Sequence, residues 1–134
     1  MLADVPEGHT IHRLAQRHRA LFAGEKVHAS SPQGRFAAGA ALICDTVLED
    51  TEAYGKHLLH HWANGHTLHV HLGLYGRFTD GDGEPPPPTG QVRLRLTTDA
   101  HWLDLRGPAA CELLTPPEAE ALRARLGADP LRDD

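Results

Sequence analysis

Eight short segments in which apolar and polar side chains alternate restrict the fold of this chain more than any other feature. They cover residues 26–30, 43–51, 56–62, 67–72, 75–79, 91–97, 102–106 and 109–114. Turn-forming residues separate the segments, and short strands at such spacing are typical of a β-sandwich or a β-barrel. The pattern therefore predicts a mainly β fold.

Two further segments predict helices on either side of the strand-forming region. The first has a face of positions three and four residues apart, made of Ile11, Leu14, Ala15, His18, Leu21 and Phe22. Gly24 follows it as a stop signal. The second should begin after Thr115, whose side chain can cap its first turn, and end at Gly127. Residues 80–90, with four consecutive prolines, predict a mobile loop or a stiff linker between two strands.

Composition narrows the class of protein. A length of 134 residues allows one domain of common size. The 2 cysteines are too few to form a zinc site alone or a small disulfide-rich fold, so a reducing cytoplasm is the expected compartment. The net charge of −5 argues against a free-standing nucleic-acid-binding protein, because phosphate binding requires a basic surface. No apolar run approaches the roughly 20 residues of a membrane helix, so no membrane partner is expected.

The dipeptide Asn64-Gly65 lies between two alternating segments and predicts a two-residue hairpin turn. Directly paired side chains share a face of a hairpin. One face would then carry Lys56, Leu58, His60, Trp62, His69 and His71. The other would carry His57, Leu59, His61, Leu68, Val70 and Leu72. Lys56 and His71 would meet at the open end of the hairpin, beside a glycine-containing bend at 73–76, and this end is a candidate site.

Four motifs in a fixed order carry a family resemblance. They are Pro6–Thr10 (PEGHT), Tyr54–Leu59 (YGKHLL), His71–Gly76 (HLGLYG), and the pair Leu113–Pro116 (LLTP) and Leu126–Leu131 (LGADPL). Together they resemble the amino-terminal domain of the formamidopyrimidine-DNA glycosylase / endonuclease VIII family, and the endonuclease VIII branch is the nearer one. The resemblance spans nearly the whole chain. It implies a two-layer β-sandwich flanked by two α-helices.

The resemblance implies an enzyme of base-excision repair, a DNA glycosylase with AP-lyase activity, whose partner is damaged double-stranded DNA. Such an enzyme removes an oxidised base after that base has left the stack, and then cleaves the strand. Pro6 matches the family's amino-terminal proline, whose secondary amine forms a Schiff base with the sugar. Glu7 matches the acid that protonates the sugar ring oxygen. Lys56 matches a lysine that contacts phosphate near the lesion, although a solvated strand lysine would look the same.

Four further residues match DNA-contacting positions of the family. His71 matches a residue near phosphate, and a buried, hydrogen-bonded histidine explains it equally well. Leu74 and Tyr75 match a loop that fills the space left by the flipped nucleotide. The preceding Gly73 departs from the endonuclease VIII branch, which has a longer polar residue there. Arg106 alone corresponds to the arginine pair that contacts the orphaned base, and no aromatic residue follows it, so the opposite-base contact stays open.

The resemblance divides the chain into an extension at 1–5, a catalytic domain at 6–127 and a linker at 128–134. The linker would lead to an absent helix–two-turns–helix module and zinc finger, and no cofactor is expected in this chain. Pro6 is joined to Val5 by a tertiary amide, and its nitrogen cannot attack a sugar in that form. If the valine codon at position 5 is the true translation start, it is read as methionine, and removal of that methionine would expose Pro6 as the amino terminus. The isolated chain should be inactive or very weak, and the full-length protein a monomeric bacterial enzyme.

Two other functions remain open from the sequence. A cupin-like β-barrel could hold a metal ion with His69 and His71 on one strand and His60 across the ladder. However, the glutamate that such barrels place a few residues later is replaced here. A non-catalytic DNA-binding domain of the same fold is the other alternative. Metal analysis would identify the first, and covalent trapping beside a DNA-binding assay would distinguish the second from the enzyme.

Overall fold

A computed structural model describes residues 8–127 of the chain. Within them three helices are present, α1 (Gly8–Phe22), α2 (Ala37–Ile43) and α3 (Pro116–Gly127). Eight strands accompany them: β1 (Lys26–Ser30), β2 (Thr46–Tyr54), β3 (His57–Trp62), β4 (Thr67–His71), β5 (Arg77–Asp82), β6 (Val92–Thr97), β7 (His101–Arg106) and β8 (Ala110–Leu114). None of these helices has the length and the apolar character needed to cross a membrane.

The strands form one antiparallel ladder in the order β5-β7-β6-β1-β2-β3-β4-β8. The ladder is weakest in its middle, where β1 and β2 share two paired positions, Lys26 with Val47 and Val27 with Thr46. Leucines of β6 and β7 belong to the same buried cluster as Leu58, Leu68 and other inward-facing residues of β3 and β4. The two halves of the ladder therefore pack through one core, which confirms the predicted sandwich.

Helix α1 covers the core with the face that the sequence predicts. Ile11, Ala15, His18 and Phe22 are buried, and Leu14 and Leu21 pack at the edge of the cluster. The arginines of the same helix face outwards, where Arg17 binds Asp80 of β5 and Arg19 binds Asp50 of β2. Helix α1 therefore packs on β2 and β3, the two strands whose connecting turn carries Lys56.

Two segments differ from the sequence prediction. Residues 37–43 form α2, a helix that was not predicted, and β2 begins only at Thr46 instead of residue 43. Alanine-rich residues favour a helix locally, but a helix of 7 residues is too short to show a clear helical period. At the other segment, β5 extends to Asp82, so residues 80–82 of the predicted loop pair with β7 instead. The proline-containing remainder connects β5 to β6 outside regular structure.

The predicted register of the β3–β4 hairpin is wrong by one residue. His57 pairs with His71 and His61 with Thr67, because the backbone closes through a three-residue loop between Trp62 and His66. A one-residue slip exchanges the faces of one strand relative to the other. The core face carries Leu58, His60, Trp62, Leu68 and Val70. The opposite face carries His57, Leu59, His61, Thr67, His69 and His71.

Helix α3 covers part of that opposite face. Thr115 caps it as predicted: its hydroxyl accepts a hydrogen bond from the Glu118 amide, and the Glu118 carboxylate accepts one from the Thr115 amide at 2.8 Å. Ala119 and Leu122 form a small buried cluster with Leu59 and Leu114. At its edge, Glu52 of β2 binds His61 and Arg123, and these contacts lower the pKa of Glu52 to about 2.

Two histidines are enclosed in the core. His18 Nδ1 of α1 lies 2.9 Å from His60 Nε2 of β3, so one ring donates a hydrogen bond to the other. Burial lowers the pKa of His18 to about 3 and the pKa of His60 well below its ordinary value. Both rings are therefore neutral in the folded protein at any pH near 7.

The buried histidine pair predicts a loss of stability in mild acid. In the unfolded chain both imidazoles take up protons as the pH falls through about 6.5, whereas in the folded protein they stay neutral. The stability that this pair contributes is therefore complete above pH 6.5 and decreases below it. The free energy of unfolding should fall by about 1.4 kcal/mol per histidine per pH unit, or about 4 kcal/mol for the pair at pH 5.

Urea unfolding at pH 7 and at pH 5 measures this loss. A double variant, His18→Leu with His60→Leu, should lose most of the pH dependence between pH 6.5 and 5. Above pH 7 neither histidine titrates in either state, so the two proteins should show the same pH dependence there. An equally steep acid loss in the double variant would show that other groups cause it.

Candidate nucleic-acid interface

The turn between β2 and β3 presents Lys56 to solvent at one edge of the sandwich. Tyr54 pairs with His57, so Gly55 and Lys56 form a two-residue hairpin turn, and hairpin turns of this length favour glycine at the first position. His71 ends β4 directly opposite His57. Lys56 and His71 therefore lie at the same edge, as predicted, although the register that was predicted to bring them together is wrong.

A row of hydrogen-bonded and stacked histidines lies behind Lys56. His57 Nδ1 is 2.9 Å from His69 Nε2, and His69 Nδ1 is 2.8 Å from the Glu112 carboxylate of β8. The His57 ring also stacks on His71, with ring centroids 4.8 Å apart. The carboxylate thus orients His69, and His69 orients His57. His57 and Glu112 were not candidates from the sequence, because the contact with Glu112 depends on the pairing of β4 with the distant β8.

The charge state of His71 follows from its surroundings. Burial lowers the pKa of His71, and the neighbouring His69 and the positive charge of Lys56 lower it further. A neutral imidazole can donate one hydrogen bond and accept another. At neutral pH this edge therefore offers one exposed ammonium group and a neutral imidazole beside it. A phosphate group could accept a hydrogen bond from each.

The loop between β4 and β5 displays two apolar side chains next to this edge. Leu74 is 56% exposed and Tyr75 is 82% exposed, although most large apolar side chains in residues 10–127 are buried. The loop itself is tightly closed. The Leu72 carbonyl accepts hydrogen bonds from the Gly76 amide at 3.0 Å and from the Ala109 amide at 3.2 Å. The exposed pair is therefore held on a rigid support.

Two glycines make this closure possible. Gly73 has a φ of +67°, and a Cβ there would lie 2.8 Å from the Ala109 side chain. A Cβ at Gly76 would lie 2.3 Å from the Leu72 carbonyl oxygen, which is closer than real Cβ atoms approach. The departure at Gly73 from the endonuclease VIII pattern thus has a physical reason in this chain. A longer side chain would push the loop away from Ala109.

Arg106 is engaged within the protein. Its Nε and Nη2 donate to the Thr89 carbonyl at 3.1 and 2.9 Å, and its Nη1 donates to the Thr79 hydroxyl at 3.2 Å. These bonds attach the proline-containing loop to β5 and β7. Contact between Arg106 and an orphaned base would require some of these bonds to break. Its role in DNA binding stays a prediction.

The remaining candidates are accounted for as follows. Pro6 and Glu7 lie outside the residues that the structure describes. The metal-binding alternative fails on geometry, because His60 faces the core and contacts His18, whereas His69 and His71 occupy the opposite face of the sheet. The three imidazoles cannot reach one ion.

The fold matches solved structures of DNA glycosylases. The chain superposes on MutM in complex with DNA containing carbocyclic 8-oxo-G with a TM-score of 0.75 and 13% sequence identity. The superposition covers 90% of this chain and 49% of the MutM chain. It superposes on Lactococcus lactis Fpg in complex with DNA containing N7-benzyl-Fapy-dG with a TM-score of 0.76 and 13% sequence identity, covering 90% of this chain and 48% of the Fpg chain. This likeness defines the fold as that of a glycosylase amino-terminal domain. Residues 5–111 match the model of the formamidopyrimidine-DNA glycosylase N-terminal domain, and the chain belongs to this family.

Curated relatives agree with the endonuclease VIII branch. Endonuclease 8 1 of Mycobacterium bovis and that of Mycobacterium tuberculosis are each 52% identical in an alignment 134 positions long, which covers 97% of this chain and 50% of theirs. Endonuclease 8 of Escherichia coli is 37% identical over 83 residues, which is 60% of this chain and 32% of that protein. The chain thus spans about half the length of the mycobacterial relatives that it matches.

Proposed function

We propose that the full-length protein removes oxidised bases from double-stranded DNA and cleaves the strand at the resulting abasic site. Residues 6–127 supply its amino-terminal catalytic domain. The observation that supports this most strongly is the rigid loop that exposes Leu74 and Tyr75 beside Lys56 and His71, on the fold of this family. We expect the protein to act in the bacterial cytoplasm, where its DNA substrate lies, and to need no cofactor held by this chain for the reaction.

In the proposed reaction each residue has one task. The secondary amine of Pro6 attacks the anomeric carbon of the sugar and displaces the damaged base, and Glu7 protonates the ring oxygen as the glycosidic bond breaks. The resulting Schiff base permits cleavage of the strand. Lys56 binds a phosphate near the lesion as a compact cation, and neutral His71 donates a hydrogen bond beside it. These assignments for Pro6 and Glu7 derive from the sequence motif alone.

The fold gives this chemistry a suitable frame. Within the described residues helix α1 begins at Gly8, and Pro6 and Glu7 come before this end of the helix in sequence; the amino-terminal end of a helix carries the positive pole of its dipole. The positive potential there favours the neutral, nucleophilic form of a nearby amine, whose ordinary pKa is about 8. Helix α1, which follows Pro6 and Glu7 in sequence, and the Lys56 turn both attach to β2 and β3.

The direct test is base release by the full-length gene product. Duplexes carrying one oxidised pyrimidine or one oxidised purine should lose that base and then be cleaved, and undamaged duplex should stay intact. A parallel binding assay on the same duplexes distinguishes the enzyme from a non-catalytic DNA-binding domain. Tight binding to damaged DNA without base release or strand cleavage would contradict the proposal and favour that alternative.

Removal of the exposed leucine of the loop should slow base excision. We expect Leu74→Ala to lower the single-turnover rate on duplex DNA on the order of 10- to 100-fold, because the apolar wedge offsets an unstacking cost of a few kcal/mol. Leu42→Ala is the matched control, since Leu42 is also 56% exposed but lies on α2. Its rate should equal that of the parent protein. Equal rates for the two variants would show that Leu74 does not insert into DNA.

A further inference from the structure

Three metal-ligating side chains converge where the two halves of the sandwich join. His28 lies on β1, and Cys44 and Asp45 lie between α2 and β2. The His28 Nδ1 atom is 3.2 Å from the Cys44 sulfur and 3.6 Å from an Asp45 carboxylate oxygen. One ligand atom from each residue lies within 4.8 Å of the others. Among the residues with described side chains, no other group of three His, Cys, Asp or Glu residues meets this criterion.

We propose that His28, Cys44 and Asp45 form a zinc-binding site that joins β1 to the start of β2. Zinc in proteins takes imidazole, thiolate and carboxylate ligands in tetrahedral geometry, with bonds of about 2.0–2.3 Å. Such bonds separate neighbouring ligand atoms by about 3.3–3.5 Å. The two separations at His28 Nδ1, 3.2 and 3.6 Å, are close to that value, and the Cys44 sulfur and the Asp45 oxygen lie within 4.8 Å of each other, so side-chain rotation can bring all three atoms to one ion.

The same three residues fit a catalytic triad poorly. In a triad the nucleophile and the carboxylate contact different nitrogens of the imidazole: one nitrogen takes the proton of the nucleophile, and the carboxylate accepts a hydrogen bond from the other and so fixes the tautomer. Here the sulfur and the carboxylate oxygen both approach Nδ1. The three ligand atoms thus cluster around one imidazole nitrogen, within 4.8 Å of one another, and such a cluster suits a bound cation better than a triad.

The backbone supports the ligand positions. The Ala29 amide donates a hydrogen bond to the Cys44 sulfur at 3.4 Å, the kind of outer contact that orients a thiolate ligand. Asp45 has a φ of +62°, and it is the one non-glycine residue with positive φ within residues 8–127. Aspartate tolerates this left-handed conformation better than most residues. The conformation allows consecutive side chains, Cys44 and Asp45, to approach the same imidazole.

The surroundings leave room for a fourth ligand. His28 and Asp45 line a surface cleft of 790 Å³ together with Lys26, Asp99 and His101. Water can reach the ion from this cleft and complete a tetrahedral shell. The site lies at the start of β2, whereas Lys56 follows its end, about 25 Å along the strand. The zinc site is therefore separate from the proposed DNA-binding edge.

A zinc ion at this position would stabilise the weakest joint of the ladder. Strands β1 and β2 share only two paired positions, and His28 and Asp45 directly follow and precede them. Backbone hydrogen bonds from the Asp45 amide to the Val27 carbonyl at 2.8 Å and from the Leu48 amide to the Glu25 carbonyl at 3.1 Å flank these pairs, and an ion bound to His28 and Asp45 would add a side-chain link to them. The role assigned to the ion is stabilisation of this junction, and that role does not depend on whether the full-length protein excises bases.

Cobalt binding to the 134-residue chain under reducing conditions tests the proposal. Co²⁺ alone, used as the probe, should produce a thiolate-to-metal charge-transfer band and the visible spectrum of tetrahedral cobalt, and added Zn²⁺ should abolish both. Cys44→Ser should remove the charge-transfer band and weaken binding by more than about 100-fold, since even an outer-shell partner accounts for about 10–100-fold. Cys111→Ser is the matched control and should keep both signals, because Cys111 lies on β8.

Thermal unfolding gives a second readout. Zn²⁺ should raise the melting temperature of the parent chain and of Cys111→Ser in proportion to the logarithm of its concentration above the dissociation constant. Neither Cys44→Ser nor His28→Asn should respond. The proposal is overturned if the parent chain shows no thiolate band, or if Cys44→Ser binds Co²⁺ as tightly as the parent. Zinc binding without any rise in melting temperature would overturn its structural role.

Discussion

The full-length gene product that begins at Pro6 should form a covalent, borohydride-stable adduct with DNA containing an abasic site, and the product that begins at Met1 should form none. The reason is the availability of the lone pair on the Pro6 nitrogen. As a free amino terminus, Pro6 is a secondary amine with a lone pair that can attack the sugar carbon. Joined to Val5, the same nitrogen belongs to a tertiary amide, and its lone pair is delocalised into the carbonyl group. Electrophoresis of the protein–DNA adduct after borohydride reduction measures the difference.

A second variant separates the two chemical tasks. In the product that begins at Pro6, Glu7→Gln should abolish release of an oxidised base but still allow the adduct on a preformed abasic site, where no glycosidic bond has to break. Mass spectrometry of the native amino terminus would show which product the cell makes. If the Met1 and Pro6 products are trapped equally well, Pro6 is not the nucleophile.

Replacement of Asp104 by alanine should lower the free energy of unfolding by about 3–5 kcal/mol. Asp104 is completely buried on β7, and its carboxylate accepts hydrogen bonds from Arg95 Nε at 2.7 Å and Nη2 at 2.8 Å. This contact raises the pKa of Arg95. The guanidinium stays charged even when Asp104 is removed, because the ordinary pKa of arginine lies far above neutral pH. An almost buried cation would then lack its counter-ion, and the cost of that state is the expected loss.

An exposed ion pair of similar length is the matched control. Arg19 Nε and an Asp50 carboxylate oxygen are also 2.7 Å apart, but both side chains are about half exposed. Asp50→Ala should therefore cost at most about 1 kcal/mol. Urea unfolding of both variants at pH 7 provides the comparison. If Asp104→Ala lowers the free energy of unfolding no more than Asp50→Ala does, burial does not increase the contribution of the Arg95–Asp104 pair to stability.

The strand pattern of the sequence predicted most of the architecture. All eight alternating segments contain strands, because alternation reflects burial of one face and this requirement is local to each strand. The inward face of α1 and the capped start of α3 were predicted as well, because they too depend on residues that are close together in the sequence. Helix α2 was not, since seven residues contain too few turns for a period to show.

The hairpin at Asn64-Gly65 shows how far a local signal extends. The dipeptide correctly indicates a turn, but a two-residue and a three-residue loop both accept it, and the choice between them reverses one face of the hairpin. Packing decides the question. Only the observed register places Leu58 and Trp62 beside Leu68 and Val70 in the core, and it leaves His57, His69 and His71 on the other side.

For the candidate interface, the sequence by itself identified Lys56, His71, Leu74 and Tyr75 as neighbours around one end of a hairpin. The tertiary structure alone decided that Glu112 orients the histidines behind Lys56, that Arg106 is bound to Thr89, and that His28 meets Cys44 and Asp45. Each of these contacts joins strands or loops that are distant along the chain. Local propensity and periodicity depend on near neighbours in sequence, whereas the partners of a polar side chain depend on how the strands pair and which faces the core buries.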